Sequence, residues 1–119
     1  MPGAPLNWEA TALTIPNASS LSSSMVLAGR PVVGLLAPVA WTGASLTFDV
    51  SACAGGTFFP LYNDDNTLFT LKISASRAYG ASAFGRIGRF YGLRLRSGSA
   101  VAAADDQAAA RVFIVHTQG

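Results

Sequence analysis

Three sets of residues in this sequence have side chains suited to chemistry: a lone histidine, two adjacent aspartate pairs, and a run in which arginines alternate with aromatic and glycine residues. A serine hydrolase needs an imidazole base, a carboxylate to orient it and a tight turn to expose the nucleophile. The single histidine, His116, closes a run expected to form an edge strand, and no Gly-x-Ser-x-Gly is present. A solvated histidine at a strand end is therefore expected, not a base. Two carboxylates can divide acid and base work across a substrate. Asp64-Asp65 and Asp105-Asp106, however, are sequence neighbours in turn-forming segments, where aspartates solvate and shape a loop. Asn63-Asp64-Asp65-Asn66-Thr67 offers oxygen donors of the kind calcium prefers. It lacks the glycine and closing glutamate of a helix-loop-helix calcium site, and a β-turn joining Tyr62 to Leu68 accounts for it equally well. No catalytic residue, metal or cofactor is expected, and the chain does not read as an enzyme.

The run Gly85-Arg86-Ile87-Gly88-Arg89-Phe90-Tyr91-Gly92-Leu93-Arg94-Leu95-Arg96 is the richest segment. Guanidinium groups hold phosphates and rings stack on bases, so such a run can bind nucleic acid. A formal charge of only +2 is weak for that role. Arginines making pairs with acidic loops or with a partner protein are the preferred reading. Lys72, Arg77, Arg86, Arg89, Arg94 and Arg96 hold six of the eight basic residues, while Glu9, Asp49, Asp64, Asp65, Asp105 and Asp106 lie outside the arginine run. One cysteine, Cys53, excludes an internal disulfide framework or a thiolate zinc site built from this chain alone, and is expected to be small and partly buried. Asn17-Ala18-Ser19 matches a glycosylation acceptor, but the first residues carry neither a basic side chain nor a long apolar run. The chain is therefore expected to be used without export.

The elements that must position these side chains are strands. Apolar and polar residues alternate strictly in Leu46 to Ser51, in Leu68 to Ser74 and in Tyr91 to Arg96, the two-residue repeat of a strand with one face in a core. This predicts Phe69, Leu71 and Ile73 on one face. It also predicts Tyr91, Leu93 and Leu95 inward, with Arg94 and Arg96 together on a wet outer face. Ala10 to Ile15, Leu21 to Ala28, Pro31 to Leu36, Phe58 to Tyr62 and Arg111 to His116 are further predicted strands, each rich in strand-forming residues. Turn signals separate them at Pro16-Asn17, Gly29-Arg30-Pro31, Thr42-Gly43, Gly55-Gly56, Asn63 to Asn66, Gly80 and Ser97-Gly98. Helix is expected to be scarce: Ala100 to Ala110 reads equally as a short helix or as a loop with one helical turn, and Ala81 to Phe84 as a single turn. The prediction is an all-β chain, an antiparallel β-sandwich or jelly-roll with little helix. An extended amino-terminal arm over residues 1–8 would precede one domain over residues 9–119.

Composition adds a constraint. Half the residues are apolar and 12% are charged, against about 25% charged in an ordinary soluble domain. The longest apolar stretch, Met25 to Trp41, is broken by Arg30, Pro31, Gly34 and Pro38 and is not a membrane span. The runs Met25 to Leu27, Val32 to Trp41 and Phe58 to Leu61 imply more apolar surface than one small core can hide, and such surface is covered by neighbours.

Leu46 to Ser51, then Gly55-Gly56-Thr57-Phe58-Phe59-Pro60-Leu61-Tyr62-Asn63-Asp64, then Phe90-Tyr91-Gly92-Leu93-Arg94-Leu95-Arg96-Ser97-Gly98 resemble small all-β virion proteins of tailed bacteriophages, of the capsid decoration or cement type. The resemblance covers residues 40 to 116, and Cys53-Ala54 stands where an Asp before Gly-Gly is more usual. It implies a sandwich bound to the major capsid protein on the outside of the virion, commonly as a homotrimer, assembled in the host cytoplasm and without catalytic residues. On this reading Leu6, Trp8, Trp41, Phe58 and Phe59 are the expected apolar contacts, and Arg86, Arg89, Arg94 and Arg96 set orientation. The alternative is a carbohydrate-binding or receptor-binding module of a phage fibre or tail, with Trp41, Tyr62, Asp64 and Asp65 as its sugar contacts. Membrane is not an expected partner, and nucleic acid is disfavoured.

Overall fold

The computed structural model describes residues 8–42, 45–80, 90–98 and 109–118. Among these residues there is no helix, and nine strands form in chain order: β1 (Trp8–Ile15), β2 (Leu21–Val26), β3 (Val32–Leu36), β4 (Ser45–Ser51), β5 (Phe58–Pro60), β6 (Thr70–Lys72), β7 (Ala78–Gly80), β8 (Gly92–Ser97) and β9 (Arg111–Gln118). They make two antiparallel sheets, one in the order β1-β9-β3-β7 and the other in the order β2-β8-β4-β5, with β6 also paired to β4. β5 and β6 occupy successive halves of the same edge of β4, Asp49 to Ser51 for one and Ser45 to Thr47 for the other. Counted as one interrupted strand, they leave eight strands wrapped in jelly-roll order. The predicted all-β sandwich is the fold.

The core lies between the sheets. Leu13 and Ile15 of β1, Leu35 of β3, Leu46, Phe48 and Val50 of β4, Leu93 and Leu95 of β8, and Phe113 and Val115 of β9 point into it, the alternate residues that a pleated strand turns to one side. Phe69 comes within 5.5 Å of Phe48, ring centre to ring centre. Trp41 and Phe113 meet edge to face with ring centres 5.1 Å apart, a favoured aromatic geometry. The long apolar runs prove to be strands with apolar residues on both faces: Met25 and Leu27 are buried while Val26 is half exposed, and Leu35 is buried while Leu36 is not.

Several sequence expectations change. β9 is flanked by β1 and β3, so His116 sits on an interior strand instead of an edge. The alternating run Leu68 to Ser74 forms a strand only over Thr70–Lys72, with Leu68 in an isolated bridge to Tyr62, although Phe69 and Ile73 are both buried. Gly80, expected in a turn, ends the short β7, which forms because Leu36, Leu35 and Gly34 present an unpaired edge to Ala78, Tyr79 and Gly80. β1 begins at Trp8, opposite Gln118, and takes in the last residue of the expected arm. The predicted turn at Ala81 to Phe84, and Ala100 to Ala110 as far as 108, lie outside the described residues.

Turn chemistry follows composition closely. Asn66 donates its N–H to the Asn63 carbonyl at 2.9 Å and adopts φ of 66°, and Asn63 N–H meets the Thr67 carbonyl at 2.7 Å. This is a turn followed by a left-handed residue that returns the chain to the Tyr62–Leu68 bridge. Between β2 and β3, Arg30 N–H donates to the Leu27 carbonyl across Ala28 and Gly29, whose φ values are 52° and 80°. Alanine pays for the left-handed conformation with its Cβ. Ala28→Asn should therefore stabilise the fold by about 0.5–1 kcal/mol, because asparagine tolerates that region. Urea denaturation should show a raised midpoint at unchanged slope, and an unchanged or lowered midpoint would contradict this account.

Candidate functional site

A buried ion cluster lies on the outer face of the second sheet. Asp49 stands opposite Arg94, and Thr47 opposite Arg96, in the β4–β8 register. Arg96 donates from both terminal nitrogens to the Asp49 carboxylate, at 2.9 and 2.6 Å, and Arg94 donates from Nε at 2.9 Å. Asp49 is 2% exposed and Arg96 7%, so neither charge is left to water, and the forked geometry of arginine on a carboxylate suits such a place. The guanidinium of Arg94 also lies 4.6 Å from the centre of the Phe58 ring, within cation–π range. Arg94 and Arg96 do share one face, as alternation predicts. That face is not wet: Arg96 is a buried structural residue, because Asp49 projects from the neighbouring strand to meet it. Low charge density hid this pairing, since Asp49 is far in sequence from both arginines.

Of the other expected contacts, Trp41 is 5% exposed and packs on Phe113, so it is a core residue and presents no surface to a partner or a sugar. Phe58 is partly covered, whereas Phe59 beside it is 64% exposed. Trp8 opens β1. Leu6, Arg86 and Arg89 lie outside the described residues. Cys53, expected to be partly buried, is exposed. It occupies the turn after β4 in which Gly56 N–H donates to the Cys53 carbonyl at 3.0 Å, with Gly55 at a φ of 69°.

The Asn63–Thr67 cluster spends its polar groups on its own hairpin. Asp65 Oδ1 accepts from the Thr67 N–H and from Thr67 Oγ1, and Asn63 Nδ2 donates to Thr67 Oγ1. An open hollow of about 480 Å³ beside it is lined by Asn63, Asp64, Asp65, Phe69 and Thr70. Tyr62 is half exposed at the base of this hairpin, but Trp41 is sealed in the core, so the four residues of the carbohydrate reading do not form one surface.

The outer face of the first sheet was not foreseen as a unit. Reading across it, Ala12, Ile114, Leu36 and Ala78 make one row, and Ala10, His116, Gly34 and Gly80 the next. Thr14 and Val112 continue it. No aspartate, glutamate, lysine or arginine stands among these positions. Solvated faces of antiparallel sheets ordinarily carry polar residues. Here Leu36 and Val112 are 40% and 45% exposed. The signal was present in sequence as apolar residues at both parities of β3 and β9, but only the strand order brings them side by side.

The class defined by this architecture is an all-β jelly-roll sandwich with an ion-locked outer face on one sheet and an uncharged outer face on the other. The chain matches no protein-family model, no curated protein and no solved structure. Function must therefore be argued from the surfaces themselves.

Removing one partner of a buried ion pair strands the other charge, which costs about 3–5 kcal/mol. Asp49→Asn should lose stability on that scale, whereas Arg94→Gln, which leaves the two Arg96 bonds in place, should lose about 1 kcal/mol. Chemical denaturation of the two variants checks the order, and a loss for Arg94→Gln as large as for Asp49→Asn would contradict the division of roles.

Proposed function

We propose that this chain is a non-enzymatic structural module that works inside an assembly, docking through the outer face of the β1-β9-β3-β7 sheet. The observation that carries the reading is the uncharged character of that face. A free monomer gains solubility from charge on a solvated sheet, and interface centres are depleted in charge. The face offers no complement to a charged surface, so its natural partner is an equally neutral one, and a second copy of the same face satisfies that requirement. In its specific form the proposal is a decoration protein of a bacteriophage virion, held as a homo-oligomer on the major capsid protein. The resemblance of the β4, β5 and β8 segments and the jelly-roll topology support this form. Binding only to the assembled shell would stabilise the shell by mass action.

Two measurements separate the general from the specific claim. The wild-type protein should sediment as an oligomer at high micromolar concentration, and the double variant Leu36→Glu, Val112→Glu should sediment as a monomer with an unchanged circular dichroism spectrum. A monomeric wild type, or a double variant that still assembles, would remove the face from the reading. Added to undecorated phage shells, the wild type should raise their disruption temperature. An oligomer that leaves shells unaffected would retain the assembly role and eliminate the virion.

A further inference from the structure

We propose that the recess between the β2–β8 edge and the turn after β4, together with Arg94, forms a binding site for a carboxylate carried on a short apolar group. This site is on the opposite sheet from the docking face and does not depend on it.

The recess holds about 220 Å³, and Val26, Phe58 and Tyr91 supply its apolar walls, with Cys53 also in its lining. Its shape depends on Gly92. A Cβ there would lie 2.4 Å from Ser51 Oγ and 3.2 Å from the Phe58 ring, so glycine allows the ring to lie down against the strand. Once down, Phe58 has two roles: it walls the recess and carries the Arg94 guanidinium 4.6 Å from its centre. Arg94 is two residues along β8 from Gly92, about 6–7 Å at strand spacing.

The charge on this face is unbalanced in the right sense. Two guanidinium groups share one carboxylate, and Asp49 already receives three charge-assisted bonds. Arg94 spends only Nε on it. Its two terminal nitrogens have no hydrogen-bond partner among the described residues, and the side chain keeps 30% of its exposure. A cation with free, paired N–H groups beside an aromatic wall selects a planar anion. At about 30 Å³ for each water, the recess has the room of about seven waters, which suits a branched hydrocarbon of four or five carbons. A ligand with its hydrocarbon against Val26, Phe58 and Tyr91 would extend its carboxylate past the Phe58 ring to Arg94, which stands just beyond the recess lining.

Cys53, the single cysteine, is exposed and lines the recess, so its rate of reaction with a thiol reagent reads occupancy directly. With 4-methylpentanoate the rate should fall saturably, and with 4-methylpentanamide, the same shape without charge, it should not. N-acetyl-leucine tests the same chemistry presented as a chain end: tighter protection than by 4-methylpentanoate identifies a peptide terminus as the source, and weaker protection a free acid. Arg94→Gln should weaken protection about tenfold or more, the loss of a charge-assisted bond, while Arg96 keeps Asp49 neutralised and the fold intact. Val26→Trp, at the rim and away from the ion cluster, should abolish it by filling the recess. No protection by either acid, equal protection by the amide, or undiminished protection in Arg94→Gln would each overturn the proposal.

Discussion

The second sheet depends on one buried carboxylate. Asp49 is enclosed on the outer face of β4 with two arginines from β8, and this arrangement restricts the register. A slip of one residue would turn Asp49 into the core and Phe48 or Val50 out of it, because the side-chain period of a strand is two. Apolar packing alone constrains register weakly here, since Leu46, Phe48 and Val50 on one side and Leu93 and Leu95 on the other would tolerate a shift of two residues. The ion cluster narrows that freedom: in the two-residue shift that sets Gly92 opposite Asp49, Arg96 would stand opposite Ser45 and lose the carboxylate. Buried ion pairs are weak sources of net stability, and specificity is their best-attested use. The bulge in β2 next door fits the same frame, with Ser22 Oγ accepting the Leu95 N–H at 2.8 Å where the regular ladder is interrupted between Leu21 and Ser24.

What could be read from sequence divides along the range of the interactions. Strand alternation in Leu46 to Ser51 and Tyr91 to Arg96 is local, and both strands formed within a residue of expectation. The Asn63–Asn66 turn is also local: asparagine at the left-handed position and an aspartate accepting from the residue two ahead are properties of five consecutive residues. Failures came where partners are distant. Trp41 lies in a loop whose local pattern cannot distinguish a ring on the surface from one packed on Phe113, 72 positions later in the numbering. His116 was placed on an edge because strand order is a property of the whole chain. Arg96 was assigned to solvent for want of its acid, and Ala78–Gly80 has so little strand propensity that only the open edge of β3 draws it into a ladder.

The two outer faces differ in a way that composition by itself does not require. With so few charges available, the chain concentrates three of them at Asp49, Arg94 and Arg96, and leaves the opposite face with none. A fourth and fifth, Glu9 and Arg30, pair with each other at the β2–β3 turn, where Arg30 also donates to the Leu27 and Val26 carbonyls at 2.9 Å. Charges that serve internal architecture cannot also solubilise a surface. The scarcity of charge and the neutrality of the first sheet's outer face are thus linked: five of the few charges present are used to fix strands and turns.

Phe58 joins the architecture of the second sheet to its surface. It sits on β5 opposite Ser51, and its ring is trapped from below by Gly92 and from one side by Arg94. Any side chain at position 92 would lift it. The apolar ring covers a guanidinium that would otherwise be solvated on that side, which strengthens the Arg94 bond to Asp49 by excluding water. A residue that looks like an exposed contact in sequence is therefore first a lid on the register lock, while its neighbour Phe59, turned the other way by the pleat, is left 64% exposed. The alternation that makes a strand gives two adjacent phenylalanines opposite duties, one inside the fold's own electrostatics and one facing whatever lies beside it.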